Sequence, residues 1–273
     1  MTFDHSEPGA RRADAHPVPA PRVPVASAPA GPGSWAELLD LASAPYRQAG
    51  RFAWHFARGK LGRDPVFRAM LERGLLPAGA RVVDLGAGQG LLASLLAAID
   101  RMACRPGGWP AGWARAPVQA SYLGVELMPR DVERARAALA PLGDQAQFVC
   151  GDMCSTALPP CDVVVILDVL HYVPQPAQDA LLTRVRDALQ PGGRLLLRVG
   201  DAAQAGGFRV SQWVDRVVTL VRGHRVPPTF CRPLREWVTL LEGLGFLVQP
   251  MPMSQGTPFA NVLLVADLPE GRA

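Results

Sequence analysis

Val82-Val83-Asp84-Leu85-Gly86-Ala87-Gly88-Gln89-Gly90 reads as an apolar strand that ends in a glycine-rich turn and passes into a helix. Glycines let the chain turn sharply and let a ligand approach the backbone closely. The spacing is G-x-G-x-G, whereas the loop that seats a dinucleotide pyrophosphate is G-x-G-x-x-G. Asp84 stands two residues before the first glycine, where a carboxylate repels a pyrophosphate and attracts a cation. Three further apolar runs end in an acid: Glu126 after Gly124-Val125, Asp152 after Phe148-Val149-Cys150-Gly151, and Asp168 after Val163-Val164-Val165-Ile166-Leu167. Ligands of doubly wound sheets bind outside the carboxyl ends of the strands. Carboxylates gathered there predict a ligand that is cationic and carries hydroxyls, although any single one could simply cap a loop or a helix.

The elements that must position these acids follow from periodicity. From Ala80 onward the pattern predicts strands at Arg81–Leu85, Ser121–Val125, Gln147–Cys150, Asp162–Leu167, Arg194–Val199, Phe246–Gln249 and Asn261–Ala266, and helices at Gly90–Arg101, Arg130–Leu139, Ala177–Leu189 and Pro233–Leu244. Most of the strands are nearly continuous apolar runs, as strands covered on both faces are. Their alternation with helices predicts an α/β fold, a doubly wound, seven-stranded, mostly parallel sheet. Upstream, Ser34 suits the N-cap of a helix over Trp35–Leu41. A second helix should run from about Pro45 to Arg58 with Phe52 and Phe56 on one face, and a third from Asp64-Pro65 to Gly74. Residues 34–79 thus form an N-terminal helical cover on a domain of residues 80–273. Residues 1–33, rich in Pro, Ala and Gly, read as a disordered tail. Two connections, 102–119 and 201–231, are longer than linking requires, and loops of that length are usually functional or disordered. Within the second, Val210, Trp213, Val214, Val217, Val218 and Val221 keep helical spacing. They predict a helix that either roofs the pocket or docks, through Arg222, His224 and Arg225, on a membrane surface or an acyl carrier.

Residues 81–200 resemble a class I, Rossmann-like methyltransferase domain that uses S-adenosylmethionine (SAM), in the group of small-molecule enzymes that includes the trans-aconitate type. The resemblance rests on Asp84-Leu85-Gly86-Ala87-Gly88-Gln89-Gly90, on Asp168-Val169-Leu170-His171-Tyr172-Val173 and on Leu189-Gln190-Pro191-Gly192-Gly193-Arg194-Leu195. It implies that Asp84, Gly86, Gly88 and Gly90 flank the methionine part of SAM. By the same resemblance Glu126 binds the ribose hydroxyls with Leu127 beside it, Asp152 meets the adenine amino group with Met153 against the ring, and Asp168 closes the cofactor site. The last strand should run antiparallel. SAM carries an ammonium and a sulfonium and no phosphate, which agrees with the acids. The 102–119 insertion departs from the pattern. A weaker similarity, from Trp213-Val214-Asp215-Arg216 to Gly256–Val262, is to methyltransferases that accompany aryl-polyene pigment synthesis.

Methyl transfer from a sulfonium needs alignment above all, and a base only where the acceptor must lose a proton. His171, three residues past a strand tip, is the candidate base; packing against the SAM loop is its alternative role. His224 and His55 are weaker candidates. Arg51, Arg58 and Lys60 could meet the carboxylate of SAM or an acidic substrate, or form a solvated face. The reading is methylation at oxygen or carbon of a small or carrier-bound, hydrophobic or aromatic acceptor. Its competitors are a methyltransferase-fold scaffold without catalysis and a nicotinamide-dependent oxidoreductase.

Composition narrows the partners. The net charge is +4 and the pI about 9.0, but the arginines are dispersed, so nucleic acid is not the expected partner. No Asn/Asp-Pro-Pro-Tyr/Phe string follows the fourth strand, and Cys161 enters that strand, which suits a buried structural thiol. Five cysteines without metal spacing suggest a reducing compartment and no bound metal. No apolar run is long enough to span a bilayer and no secretory signal is evident, so the cytoplasm is the expected location. The oligomeric state is left open by the sequence.

Overall fold

The computed structural model describes residues 33–200, 230–253 and 261–271, all inside one compact unit, Gly31–Ala273. The expected tail, the helix through Val210 and Val221, His224, and residues 254–260 lie outside them.

Seven strands form one sheet in the order β3-β2-β1-β4-β5-β7-β6. They are β1 Arg81–Leu85, β2 Ser121–Glu126, β3 Ala146–Cys150, β4 Cys161–Leu167, β5 Leu189–Gly200, β6 Leu247–Pro252 and β7 Asn261–Asp267. β1 to β5 pair in parallel, and β7 runs antiparallel to both neighbours. The sheet is thus the mostly parallel one expected, antiparallel last strand included. β6, an edge strand, carries Pro250 and Pro252, which lack the N–H an inner strand would have to donate.

The two-residue period of the strands splits the interior into two layers. Val82, Val163, Val165, Leu196, Leu263 and Val265 face one layer, while Val83, Leu85, Val164, Ile166, Leu195, Leu197 and Leu264 face the other. The first layer holds α1 (Trp35–Ser43), α2 (Arg51–Arg63), α3 (Pro65–Glu72), α4 (Leu91–Ala103) and α5 (Pro129–Leu139); the second holds α6 (Gln175–Ala188) and α7 (Leu234–Gly243). α4 is apolar nearly all round because α1 covers the side that the sheet leaves. The Ser94 hydroxyl on α4 donates to the Ala42 carbonyl of α1, at 2.6 Å. Trp237 of α7 is the largest side chain wholly inside the second layer.

The structure corrects three expectations. The second N-terminal helix is broken: a 3-10 turn, Ala44–Arg47, precedes α2, because Gly50 takes a φ of 105° that no helix continues through. Residues 190–193 bulge out within β5, so that Cys161 pairs with Leu189 while Val163 already pairs with Arg194. The 102–119 segment is ordered and structural. It leads from α4 down to the start of β2, the end of the sheet opposite the acids. There Trp109 and Trp113 meet edge to face, Trp113 lies 6.0 Å from Trp35 of α1, and Arg68 of α3 sits over its ring. Arg105 pairs with Glu37, and Ala114 N–H donates to the Glu72 carbonyl.

At the carboxyl end of the sheet a different fastening operates. Arg198 of β5, 2% exposed, forks onto both oxygens of Asp64 and both oxygens of Asp168. Lys60 of α2 also reaches both acids, Asp64 at 2.8 Å and Asp168 at 3.3 Å. Asp64 in addition accepts from Val66 N–H as the N-cap of α3. Burial alone would raise both carboxyls, but the two cations hold Asp64 and Asp168 below the ordinary range. The stabilisation from such depressed acids is complete above their unfolded pKa, near 4, and fades as pH falls below it. Removing the guanidinium would strand buried carboxylates, so Arg198→Met should lose about 3–5 kcal/mol in urea unfolding at pH 7, and part of that loss should vanish at pH 3.

Candidate functional site

The glycine turn is held against β2. Gly86 and Ala87 N–H both donate to the Val125 carbonyl, at 2.8 and 3.1 Å. Gly90 has a φ of 73° and a Cβ there would lie 2.6 Å from the Phe148 ring, so only glycine fits. Gly88 differs: its φ is 55°, yet a Cβ would meet nothing within 4 Å. A Cβ on Gly86 would likewise lie 2.6 Å from Val169, so the turn is packed at both ends and open in its middle, the shape of a cradle. It opens the N-terminus of α4, whose unsatisfied N–H groups favour a negative ligand group.

Glu126, at the tip of β2, accepts from Gly88 N–H at 2.8 Å and from Met128 N–H at 2.9 Å, one on each oxygen. Those bonds fix the carboxylate beside the loop and still leave lone pairs for two hydroxyl donors. Leu127 beyond it is 63% exposed. Asp152 accepts from Cys154 N–H at 2.8 Å, and its carbonyl receives Ser155 and Thr156 N–H, which winds the chain after β3 into a tight turn. Met153 packs against the second layer. Arg184 of α6 fastens this turn, donating to the Met153, Cys154 and Thr156 carbonyls.

Asp84 is 6% exposed and shares a face with Tyr122, whose hydroxyl donates to it at 2.6 Å. Burial, with Glu126 nearby, pushes its carboxyl up to about 7 although the Tyr122 bond opposes this. Asp168 differs from the other three acids. Its φ is 60°, uncommon away from glycine, and its charge is met by Arg198 and Lys60, so the group of two acids and two cations is formally neutral. The structure thus brings Asp84, Glu126, Gly86, Gly88 and Gly90 together directly, sets Asp152, Leu127 and Met153 on the neighbouring strand tips, and turns Asp168 onto the cover.

His171 lies in a 3-10 turn, Leu170–Tyr172, with its ring 4.1 Å from that of Tyr172. Burial lowers its pKa, while the charge of Asp168 works the other way. Its carbonyl accepts from Phe230 N–H. Of the basic candidates, Arg58 pairs with Asp40 and only Lys60 reaches a strand tip. His55 and Arg51 are exposed. Cys161 is buried, as expected of a strand thiol.

Four participants escaped the sequence reading. Arg198 was visible as a charge set inside an apolar run, Leu195-Leu196-Leu197 before it and Val199 after it. Tyr46, whose hydroxyl donates to the Gln89 carbonyl at 2.8 Å, and Tyr122 were indistinguishable from core aromatics. Arg184 looked like any helix-surface arginine.

The strand order and the cradle at its carboxyl end define a class I methyltransferase fold. Residues 99–193, about a third of the chain, match the family described as a methyltransferase domain. The acetylserotonin O-methyltransferase of Mus musculus molossinus is 34% identical over 176 residues, 60% of this chain and 44% of that protein. The ubiquinone biosynthesis O-methyltransferase of Xylella fastidiosa strain M23 is 26% identical over 72% of this chain and 73% of its own. The chain thus spans less than half of the mouse relative. An O-methyltransferase family protein from Burkholderia thailandensis superposes with a TM-score of 0.55, 18% identity and coverage of 83% of this chain and 63% of that one. The match to a methyltransferase domain thus lies within residues 99–193, and a magnesium protoporphyrin IX methyltransferase from Synechocystis that shares the fold (18% identity, TM-score 0.51) was solved with bound SAM. The residues fit it: an open middle at Gly88, a fixed carboxylate at Glu126, and a Gln89 amide that is 2% exposed and has no hydrogen-bond partner among the described residues.

Ionised Asp84 is the form that attracts an ammonium. The affinity for S-adenosylhomocysteine should therefore fall as pH drops through about 7, by up to about tenfold per unit. Calorimetric titration at several pH values should show that slope, and Asp84→Asn should flatten it.

Proposed function

We propose that the protein transfers the methyl group of SAM to an oxygen of a small, hydroxylated aromatic acceptor, with carbon as the alternative atom. The observation that carries the reading is the ring of strand-tip groups around the glycine turn. Glu126 offers paired acceptors for the ribose, Asp152 an acceptor for the adenine amino group, and Asp84 a buried negative charge for the ammonium. Oxygen is favoured because the named relatives, an acetylserotonin and a ubiquinone-biosynthesis enzyme, are O-methyltransferases. A pyrophosphate beside Asp84 and Glu126 would face two carboxylates, which disfavours a nicotinamide dinucleotide.

The chain's part in this reaction is mostly alignment. Holding acceptor oxygen, methyl and sulfur in line converts an encounter into a near-unimolecular step. A phenol, with an ordinary pKa near 10, must also lose its proton. His171 is the group we assign to receive it: burial keeps the ring neutral at pH 7, the form that accepts a proton. Lys60 is held by Asp64 and Asp168 at the rim and is the cation best placed for a carboxylate on donor or acceptor. Among the described residues no helix is long and apolar enough to cross a membrane, and the acceptor is read as a small molecule or one borne on a carrier.

Calorimetry should show saturable binding of S-adenosylhomocysteine, none of NADH, and a loss of about tenfold or more in Glu126→Ala. Well-folded protein that ignores S-adenosylhomocysteine would sink the reading. A mass-spectrometric screen of phenols and aryl acids with SAM then tests turnover and separates an enzyme from a scaffold. With an accepted phenol, the rate should rise with pH through a midpoint below the usual histidine value, and His171→Gln should lose that limb.

A further inference from the structure

We propose that the side-chain amide of Gln89 binds the amino-acid end of the methyl donor, Nε2 donating to its carboxylate and Oε1 accepting from its ammonium. The inference rests on the SAM-dependent reading above and adds a side-chain contact to it.

Gln89 stands between Gly88 and Gly90 in the turn and is 2% exposed. Both heteroatoms of its amide are buried and have no hydrogen-bond partner among the described residues. Buried polar side chains are nearly always paired, and one left unpaired costs the full desolvation of its donor and acceptor. A leucine or methionine would fill similar volume there without that cost. The main chain does not explain the glutamine, since its carbonyl is already taken by the Tyr46 hydroxyl at 2.8 Å.

The missing partner must therefore accept one hydrogen bond and donate another within a short distance. An α-amino acid does both at a single carbon, through its carboxylate and its ammonium. The surroundings sort the two charges the same way. The N-terminus of α4, one residue along, favours the carboxylate, and buried Asp84 at the start of the turn favours the ammonium. The open side of Gly88, next to Gln89, leaves room for the approach.

The test compares two ligands that differ only at that end. S-Adenosylhomocysteine carries the amino acid; 5′-methylthioadenosine keeps the nucleoside and thioether without it. Gln89→Leu should bind S-adenosylhomocysteine about tenfold or more weakly, as loss of bonds to charged groups implies. It should bind 5′-methylthioadenosine as the wild type does, with no fall in the thermal midpoint of the free protein. Unchanged affinity for both ligands would overturn the proposal, because the amide would then be satisfied by water alone. Equal weakening of both would overturn it too, since Gln89 would only shape the turn. Gln89→Met serves the same comparison if the leucine variant folds poorly. A wild-type protein that binds 5′-methylthioadenosine and S-adenosylhomocysteine equally well would refute this inference and leave the methyltransferase reading standing. A wild-type protein that binds neither would remove the reading itself.

Discussion

A guanidinium sealed inside the sheet is the constraint on which the upper half of this molecule depends. Arg198 cannot lose its proton, and in an apolar strand it can stay only with carboxylates against it. The two it uses come from opposite directions, Asp64 from the helical cover and Asp168 from the end of β4. Meeting that demand fixes where α2 and α3 sit over the sheet. It also holds the chain after β4 in the left-handed turn that leads to His171. Lys60 completes the charge balance and is brought to the rim as a result.

Because Arg198 and Lys60 compensate Asp168, the site is less negative than four strand-tip acids would suggest. Asp84, with its carboxyl pushed up to about 7, is only about half ionised at pH 7 until a cation arrives. The remaining fixed charge lies at the tips of β2 and β3, on Glu126 and Asp152. Such an arrangement lets the cradle avoid the repulsion of clustered carboxylates while keeping a latent charge for a cation.

The strands and their acid tips were legible because buried parallel strands are written as apolar runs and each run stopped at a carboxylate. The glycine turn was legible from spacing, and the antiparallel last strand from resemblance. Other features depend on contacts far apart in the chain. The break before α2 comes from one backbone angle at Gly50, inside a stretch whose side chains all suit a helix. The 102–119 segment looked like a long functional loop, yet its tryptophans meet Trp35 and Arg68, tens of residues earlier. Asp168 was read with the ligand because its position matched the other tips; its pairing with Arg198, thirty residues later, was not foreseen. Sequence distance hides that kind of pairing.

The cover is attached at both ends of the sheet, by fastenings that answer differently to ionic strength. Salt damps the attraction between exposed charges, with a screening length of about 10 Å at 0.1 M, and acts far less on buried ones. Arg105–Glu37, which ties the segment after α4 to α1, has a half-exposed arginine and belongs to the first kind. Arg198 belongs to the second. In brine the cover would thus keep its grip at the carboxyl end, while at the far end the Arg105–Glu37 pair would weaken and leave the tryptophan cluster to hold α1. A protein fastened in this way keeps its binding face assembled in concentrated electrolyte and relies on apolar contact at the other end.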